Sequence, residues 1–363
     1  MSNWEMVSWN TVLTIKNGKN QKKVEDEHGL YPIYGSGGVM SYANDYICPE
    51  FTTIIGRKGS INSPIFVEEK FWNVDTAFGL VANTEILIPK YLYYFCIKYN
   101  FEKHNKAVTI PSLTKTDLLQ IKIPLPPLEE QKRIAKNLDL ASELVKLHKT
   151  ELAELDKLIQ SVFYDMFGDP VTNEKGWGIE KLNAVCDVRD GTHDSPKYVE
   201  QGYPLITSKN ISNGNIDFKN VNYITFDDLE KINKRSKVDN GDIIMPMIGT
   251  IGNPIIVITD KIFAVKNVAI IKFSKSQMSN IFIKSLLMSS YFDDAIRKNN
   301  KGGTQKFISL GDIRKLLVPL PPLPIQQKFA DIVTEIENQK TQVQTALNDA
   351  EQLYNSLMQE YFE

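Results

Sequence analysis

The sequence contains few of the residues on which disulfides, zinc sites and histidine catalysis depend. Its 363 residues include only three cysteines and four histidines. Cys48, Cys96 and Cys186 lie far apart and form no CxxC pair, which predicts reduced thiols in a cytoplasmic protein rather than a disulfide framework. With so few ligands and no cluster of them, the sequence predicts no metal site.

Long apolar segments are also missing. No apolar run approaches the roughly 18–20 residues that a helix needs to cross a bilayer. The first ten residues, MSNWEMVSWN, lack the basic start and apolar stretch of a secretory signal. We therefore expect no membrane partner and a cytoplasmic location.

Several enzyme motifs are absent. There is no GxxxxGK[ST] loop for an ATPase, and every Pro-Pro pair belongs to LPPL instead of the [DNS]PP[YFW] tetrapeptide of a DNA methyltransferase. Glu68-Glu69-Lys70, with Asp45 upstream, matches the ExK pattern of metal-dependent nucleases, but such a tripeptide arises easily by chance. We predict no catalytic residues and no cofactor.

The chain repeats itself once. Trp4 and Trp177 lie 173 residues apart, as do Gly18 and Gly191, and IPLPPLEEQKRIA at 123–135 matches VPLPPLPIQQKFA at 318–330 with an offset of 195. The growing offset predicts an insertion of roughly 20 residues in the second copy, between residues 205 and 245. A period this long indicates a duplicated globular block and helix, not a solenoid.

Each globular block reads as mixed α/β, mainly strands and loops. FTTIIG, PIFVEE, DIIMPMIG, NPIIVIT and FAVKNVAIIKF are short, rich in β-branched residues and bounded by Gly, Pro or Asn. One helical segment follows in each block, at 89–104 and 280–299. The fold class is therefore α+β.

A long helix follows each PLPPL element. Proline is tolerated in the first helical turn, and roughly 40 residues with almost no Gly or Pro come next. Apolar residues recur with heptad spacing, which predicts two coiled-coil helices that pair antiparallel. The first should end at Phe167-Gly168. We further predict that His148 and Lys340, which interrupt the apolar stripes, meet in a polar layer; the alternative is that both face solvent.

The net charge of −2 is unevenly distributed. Residues 1–127 carry +1 and residues 169–322 carry +4, whereas residues 128–168 carry −2 and residues 323–363 carry −5. The positive charge thus lies in the blocks and the negative charge in the helices. This segregation permits nucleic-acid binding by the blocks without proving it.

The two PLPPL-x-x-Q elements, each before a long helix and after an unlike block, resemble type I restriction–modification specificity subunits. The resemblance covers essentially the whole chain and includes RDGTHDSPKY (189–198), GDIIMPMIGTIGN (241–253), IIGRKGSIN (54–62) and GGTQKFISLGDIRKLLVPLPPL (302–323). It implies two pseudo-symmetric target recognition domains, 1–127 and 169–322, joined by antiparallel coiled-coil helices, 128–168 and 323–363.

The same resemblance implies function and partners. The chain would read an asymmetric, bipartite site in double-stranded DNA and would dock methyltransferase subunits on its helices. It would do no catalysis, and the complex would also recruit a translocating nuclease subunit. The helices would then act as a ruler between two half-sites.

Candidate DNA contacts lie in glycine-rich, polar loops. Phosphate contacts need Lys, Arg or backbone N–H groups, and base readout needs side chains that reach the groove. The loops are GRKGS (56–60), KNGKN (16–20) with its counterpart RDGTHDSPK (189–197), KHNKAVTIPS (103–112) with its counterpart KNNKGGTQK (298–306), and TSKN (207–210). The predicted DNA-binding residues are Lys16, Lys19, Arg57, Lys58, Ser60, Lys106, Thr109, Arg189, Thr192, His193, Lys197, Lys209, Asn210, Lys298, Lys301, Thr304, Gln305 and Lys306.

Other interpretations of the loops and of the whole chain stay open at this point. Each loop can be a solvated turn without any ligand. The chain can also be a DNA-binding regulator outside restriction, or a coiled-coil scaffold whose blocks bind protein. Co-purification with a methyltransferase would distinguish these classes.

Overall fold

A computed structural model describes residues 4–105, 110–212, 214–248, 252–299 and 307–362. The chain divides into two units: unit 1 is residues 1–150 with 344–363, and unit 2 is residues 151–343. Within the described ranges, no helix has the length and apolar character needed to cross a membrane.

Unit 1 contains three small sheets and a set of short helices ahead of the first long helix. Its elements in chain order are β1 (Met6–Ser8), α1 (Trp9–Val12), β2 (Leu13–Asn17), β3 (Tyr31–Gly35), β4 (Gly38–Ala43), β5 (Thr52–Gly56), β6 (Ile65–Val67), β7 (Trp72–Asn73), β8 (Ala77–Ala82), α2 (Pro89–Lys98), α3 (Lys115–Leu118) and β9 (Lys122–Pro124), followed by α4 (Leu128–Phe167), which begins in unit 1 and ends in unit 2. Its sheets have the strand orders β2-β8-β5-β6, β4-β3-β7 and β1-β9.

Unit 2 has the same order of elements with additions. They are β10 (Gly178–Lys181), α5 (Leu182–Val185), β11 (Asp187–Asp190), β12 (Tyr203–Ile206), β13 (Ile211–Ser212), β14 (Asn215–Ile216), β15 (Asn222–Ile224), α6 (Phe226–Ser236), β16 (Ile243–Pro246), β17 (Ile255–Ile256), β18 (Ala264–Val265), β19 (Val268–Lys272), α7 (Asn280–Leu287), α8 (Ser290–Asn299), α9 (Leu310–Lys315) and β20 (Leu317–Leu320), followed by α10 (Leu323–Phe362), which begins in unit 2 and ends in unit 1. Short 3-10 helices lie at Phe101–His104 in unit 1 and Ser208–Asn210 in unit 2.

The sheets confirm the predicted duplication. The four-stranded sheet of unit 2, β11-β19-β16-β17, is antiparallel throughout, as is β2-β8-β5-β6 in unit 1. The three-stranded sheet has one antiparallel and one parallel pairing in both units. Two blocks of unlike sequence therefore share one topology.

The predicted insertion is also confirmed, and it falls in two places. Residues 207–221, with the β13–β14 hairpin, join β12 to β15, whereas only residues 36–37 join the corresponding strands of unit 1. The second addition is α6, which follows β15.

The prediction of a single helix over 280–299 was wrong. It is two helices, α7 and α8, which are separated at Met288-Ser289. The Ser289 hydroxyl donates to Leu286 O at 2.7 Å, a bond from a short side chain to nearby backbone that competes with continued helix. In unit 1 the helix over 89–104 stops at Lys98 and continues only as the 3-10 helix.

The long helices match their prediction. α4 and α10 have 40 residues each, and α4 ends at Phe167, before Gly168 with φ of +76°. The heptad-spaced positions of each helix are all buried or half-buried: Ile134, Leu138, Ala141, Val145, His148, Leu152, Leu155, Ile159, Val162 and Met166 in α4, and Phe329, Val333, Ile336, Lys340, Val343, Leu347, Ala350, Tyr354, Leu357 and Tyr361 in α10.

Within each unit a segment of α4 packs against a segment of α10 in opposite chain directions. In unit 1, Leu138 near the start of α4 shares a core with Met358 near the end of α10. In unit 2, Phe167 at the end of α4 lies 5.1 Å from Phe329 near the start of α10, measured between ring centroids. These contacts confirm the antiparallel pairing of the helices.

The predicted layer of His148 and Lys340 was wrong. The Lys340 ammonium binds the carboxylates of Asp156 at 2.6 Å and Glu337 at 3.1 Å. Lys340 is therefore level with Asp156, about two helical turns along α4 from His148. A half-buried ammonium needs an anionic partner, and a carboxylate meets that need better than an imidazole.

The glutamine of each PLPPL-x-x-Q element joins its block to its long helix. Gln131 is buried; its Oε1 accepts from Ile88 N at 2.8 Å, and its Nε2 donates to Pro126 O at 2.8 Å and Ile86 O at 3.0 Å. Ile88 immediately precedes α2. The amide thus bonds the first turn of α4 to the start of the block's helix.

Gln326 repeats this arrangement in unit 2. Its Oε1 accepts from the backbone N–H of Ser279, the N-cap of α7, and its Nε2 donates to Pro321 O, both at 2.8 Å. Because consecutive prolines offer no N–H, a side-chain amide is well suited to satisfy the buried proline carbonyl. We name this pair of arrangements the glutamine clamps.

Candidate nucleic-acid interface

In unit 1 two of the predicted loops pack on the same turn, residues 73–77 between β7 and β8. Lys19 N donates to Asn73 O at 3.0 Å, and Arg57 N donates to Thr76 O at 2.8 Å. The approach is close at Gly18, where a Cβ would stand 1.8 Å from Val74 O. Glycine is therefore required there.

This packing collects positive charge around the turn. Lys16 and Lys19 come from one loop, and Arg57 and Lys58 come from the other; all four side chains are exposed. The Arg57 guanidinium donates to a backbone oxygen, Asp75 O, at 3.4 Å. Because this partner is uncharged, it does not neutralise the positive charge of Arg57. Ser60 is also exposed in the second loop. The arrangement suits a phosphate backbone.

A third segment extends this surface. Gly59 N donates to Pro111 O at 3.1 Å, and Leu113 N donates to Arg57 O at 2.9 Å. The Lys115 ammonium donates to Ile15 O at 2.9 Å, which adds a cation beside β2. Lys106 and Thr109, which the sequence also predicted, lie outside the described residues.

Unit 2 has the same turn and a different set of side chains. Thr192 N donates to Val265 O at 3.0 Å, and a Cβ on Gly191 would stand 2.3 Å from Val265 O, as at Gly18 in unit 1. Thr192 Oγ1 accepts from Asp194 N. Lys197 is exposed on the same loop. The two units thus share one turn and differ in the side chains around it.

Two residues predicted as contacts have hydrogen-bond partners within the fold. The Arg189 guanidinium donates to Asp187 Oδ2 at 2.6 and 2.9 Å and to Arg235 O at 2.8 Å; this ion pair lowers the pKa of Asp187. Asn210 is buried, accepts from Thr207 N and donates to Asn220 O. Asn210 is thus enclosed within the fold, whereas Arg189 is half-buried and Lys209 is exposed.

The remaining predicted residues are Lys298 and four residues that follow it in the sequence. Lys301, Thr304, Gln305 and Lys306 lie outside the described residues. Lys298 is in α8, but its side chain is not described.

His193 is held between two acceptors. Its Nε2 lies 2.7 Å from Asp190 Oδ2, and its Nδ1 lies 2.8 Å from Asn267 Oδ1. Arg235 binds the other oxygen of Asp190 at 3.0 Å. The imidazolium form, with an N–H on both ring nitrogens, can donate to both oxygens at once. The bonds to Asn267 and then Asp190 raise the pKa of His193.

We expect the His193 network to be pH-dependent. Because its folded-state pKa is raised, its contribution is complete below the ordinary value of about 6.5 and is lost as pH rises through the raised pKa. An NMR titration of the His193 ring should show a pKa above about 6.5 that falls in Asp190→Asn. Asp194→Asn, which changes a carboxyl outside the network, should leave the pKa nearly unchanged. An ordinary titration in the unaltered chain would contradict the network.

Sequence reasoning missed two features of this surface. Lys115 could not be found, because its partner is 100 positions away in the chain. The hairpin tip at 35–38 carries a sequence signal, since YGSGGVMSY (34–42) is glycine-rich like the predicted DNA-binding loops.

The three cysteines are free and buried in the structure, as predicted. Burial raises the pKa of Cys48 to about 12 and raises that of Cys186 as well. Such thiols are poor nucleophiles.

Comparison with known proteins decides the family. The model of the type I restriction modification DNA specificity domain matches residues 1–157 and again residues 174–352. The chain belongs to this family. The two matches follow the two copies of the block, so the family's unit and the observed repeat coincide.

Individual relatives agree with this membership. The chain is 27% identical to the type I restriction enzyme MjaVIII specificity subunit of Methanocaldococcus jannaschii, over 92% of this chain and 86% of that protein. It is 22% identical to the EcoBI specificity subunit of Escherichia coli, over 98% and 84% respectively.

A solved structure shows the same fold. The type I restriction–modification S subunit from M. genitalium aligns with a TM-score of 0.67 at 17% identity, covering 99% of this chain and 96% of that one. A second similar chain comes from a study of complex assembly and conformational transition of the type I system, with a TM-score of 0.56 at 16% identity and coverage of 100% and 98%.

Proposed function

We propose that this chain is the sequence-reading specificity subunit of a type I restriction–modification system. The observation that carries the proposal is the duplicated block. Both units have the same sheet topology, and in each a loop that contains a closely packed glycine, Gly18 or Gly191, contacts the corresponding turn. Family membership over both copies supports it. The chain supplies recognition, and other subunits supply catalysis.

The target we propose is double-stranded DNA with two unlike half-sites. The blocks share strand order but differ in the loops around the common turn, with Lys19 and Arg57 in unit 1 and Thr192 and Lys197 in unit 2. Side chains that reach the groove determine which bases are read, so unlike loops imply unlike half-sites. An unread spacer separates the two.

The division of labour we propose follows the predicted boundaries. Residues 1–127 and 169–322 read DNA, and the helices at 128–168 and 323–363 dock methyltransferase subunits and set the spacer. A nuclease and translocase subunit joins through the complex, in the cytoplasm. No cofactor or metal is assigned to this chain.

The decisive experiment uses the assembled complex. The chain is expressed with type I methyltransferase subunits in a host that lacks them, and the methylome is sequenced with and without it. We expect a bipartite, asymmetric motif that depends on this chain. Methylation that is unchanged without the chain would refute the assignment, and binding to an operator without any methyltransferase would indicate a regulator.

Phosphate contact by unit 1 predicts a salt effect. Neutralising one phosphate contributes about 0.9 to the slope of log affinity against log salt concentration, so Lys58→Gln should reduce the slope by roughly 1 and weaken all sequences similarly. Lys122→Gln is the control, because Lys122 is exposed on β9, outside the loops. Equal slopes in the two variants would argue against contact at Lys58.

A further inference from the structure

The β3–β4 hairpin of unit 1 has exposed apolar side chains at its tip. Val39 is 53% exposed and Met40 is 62% exposed, and both follow directly after the turn at 35–38. β4 is an edge strand in the order β4-β3-β7. A strand with one solvated face usually places polar residues there, so adjacent apolar residues at a hairpin tip indicate a contact surface.

The tip lies beside the basic loop 56–60. Tyr34 O accepts from Val74 N at 3.0 Å, so β3 packs on the same turn that receives Arg57. A Cβ on Gly56 would stand 3.2 Å from Ser36 Cβ. The hairpin therefore belongs to the same surface as the cationic side chains.

The backbone of the hairpin tip extends into open space. A Cβ on Gly37 or Gly38 would meet nothing within 4 Å, and Gly38 has φ of +118°, which L side chains rarely adopt. Gly59, in the neighbouring basic loop, is equally open. Two glycine-bearing loops thus extend side by side into open space.

We propose that this hairpin tip enters the major groove of the half-site that unit 1 reads, and that Val39 and Met40 contact thymine methyl groups. The inference rests on the proposed DNA-reading function and assigns one means of base readout to it. Thymine C5-methyl is the apolar group that the major-groove edge presents. Arg57 and Lys58 beside the tip complement the phosphates that flank such a groove.

The corresponding strands of unit 2 provide a contrast. β12 and β15 are joined by residues 207–221, and the β13–β14 hairpin within them has the exposed polar residues Ser212 and Asn215 beside Gly214, where the tip in unit 1 has Val39 and Met40. Methyl reading of this kind is therefore assigned to one half-site alone, in keeping with an asymmetric target.

The test replaces thymine by uracil, which removes only the methyl group. Duplexes with the target from the methylome carry uracil at one thymine of either half-site at a time, and affinity is measured with the complex of this chain and its methyltransferase subunits. We expect a loss of about threefold to tenfold at one or two positions of one half-site.

The variants Val39→Asn and Met40→Gln keep each side chain close to its original size, make it polar and remove its methyl groups. They should weaken binding to the thymine duplex to a similar extent and should no longer distinguish uracil from thymine. Leu30→Gln is the control: Leu30 is 80% exposed but lies before β3, at the far end of the hairpin. It should bind like the unaltered chain, and all three variants should melt at the unaltered temperature.

Three results would overturn the inference. One is full affinity for uracil at every thymine, and another is a specific target without thymine on either strand of the half-site that unit 1 reads. The third is normal DNA affinity of the variants with loss of methyltransferase subunits, which would make the tip a protein-docking surface. By contrast, a complex that methylates no specific sequence would refute the proposed function itself.

Discussion

Inserting one heptad into each long helix is expected to lengthen the DNA spacer and leave both half-sites unchanged. Seven residues add about 10.5 Å of helix, which corresponds to at most about three base pairs at 3.4 Å each. A whole heptad keeps the apolar stripes in phase, so the helices should still pair. We expect affinity for the original spacer to fall by at least about a hundredfold.

The insertion points follow from the structure. Lys149 in α4 and Glu351 in α10 form an ion pair at 2.7 Å, which places those positions level with each other. The heptads are inserted after Lys149 and after Ala350, and binding is measured on duplexes that differ only in spacer length. An insertion in α4 alone is the control, since it leaves the stripes unmatched in length and should impair assembly. A changed half-site with an unchanged spacer would contradict the proposal that the helices set the spacer length.

Breaking a glutamine clamp should strongly destabilise the chain. Gln131→Met keeps the volume but leaves Pro126 O without its partner in a buried place, and Ile88 N and Ile86 O without theirs in partly buried places. An unsatisfied buried group costs about 1–3 kcal/mol, so the free energy of unfolding should fall by about 3–5 kcal/mol. Chemical denaturation followed by circular dichroism measures it.

Unit 2 offers a matched pair of variants for the same test. Gln326→Met removes the clamp, whereas Gln327→Met changes the next residue, which is exposed and donates to Asp331 on its own helix. The second variant should cost less than about 0.5 kcal/mol. Similar losses in both would show that the clamp contributes little.

The clamps explain a motif that the sequence displayed without a reason. PLPPL-x-x-Q was visible twice, and its prolines indicated helix starts. The amide of Gln131 acts on Ile86 and Ile88, which are more than 40 positions away in the chain. Its role therefore depends on a contact that no local pattern contains.

The candidate interface shows the same division. The sequence of the loops identified Arg57 and Lys19 as candidate cations, and the structure brings their loops to one turn. The loop sequences also identified Arg189 and Asn210, whose side chains turn out to be bonded within the fold. A residue type indicates what a side chain can bind, and its neighbours in space decide whether it is available.

The sequence by itself determined the features that depend on spacing along the chain. Helical periodicity revealed both 40-residue helices and their buried stripes, and the repeated motifs revealed two copies of one block. Both signals are local or self-similar, so they can be read without coordinates. Tertiary structure alone decided the partners of Lys340, the break at Ser289 and the position of the glycine tip beside Arg57. These depend on contacts between distant segments, where packing and hydrogen bonding choose among neighbours that the order of residues leaves open.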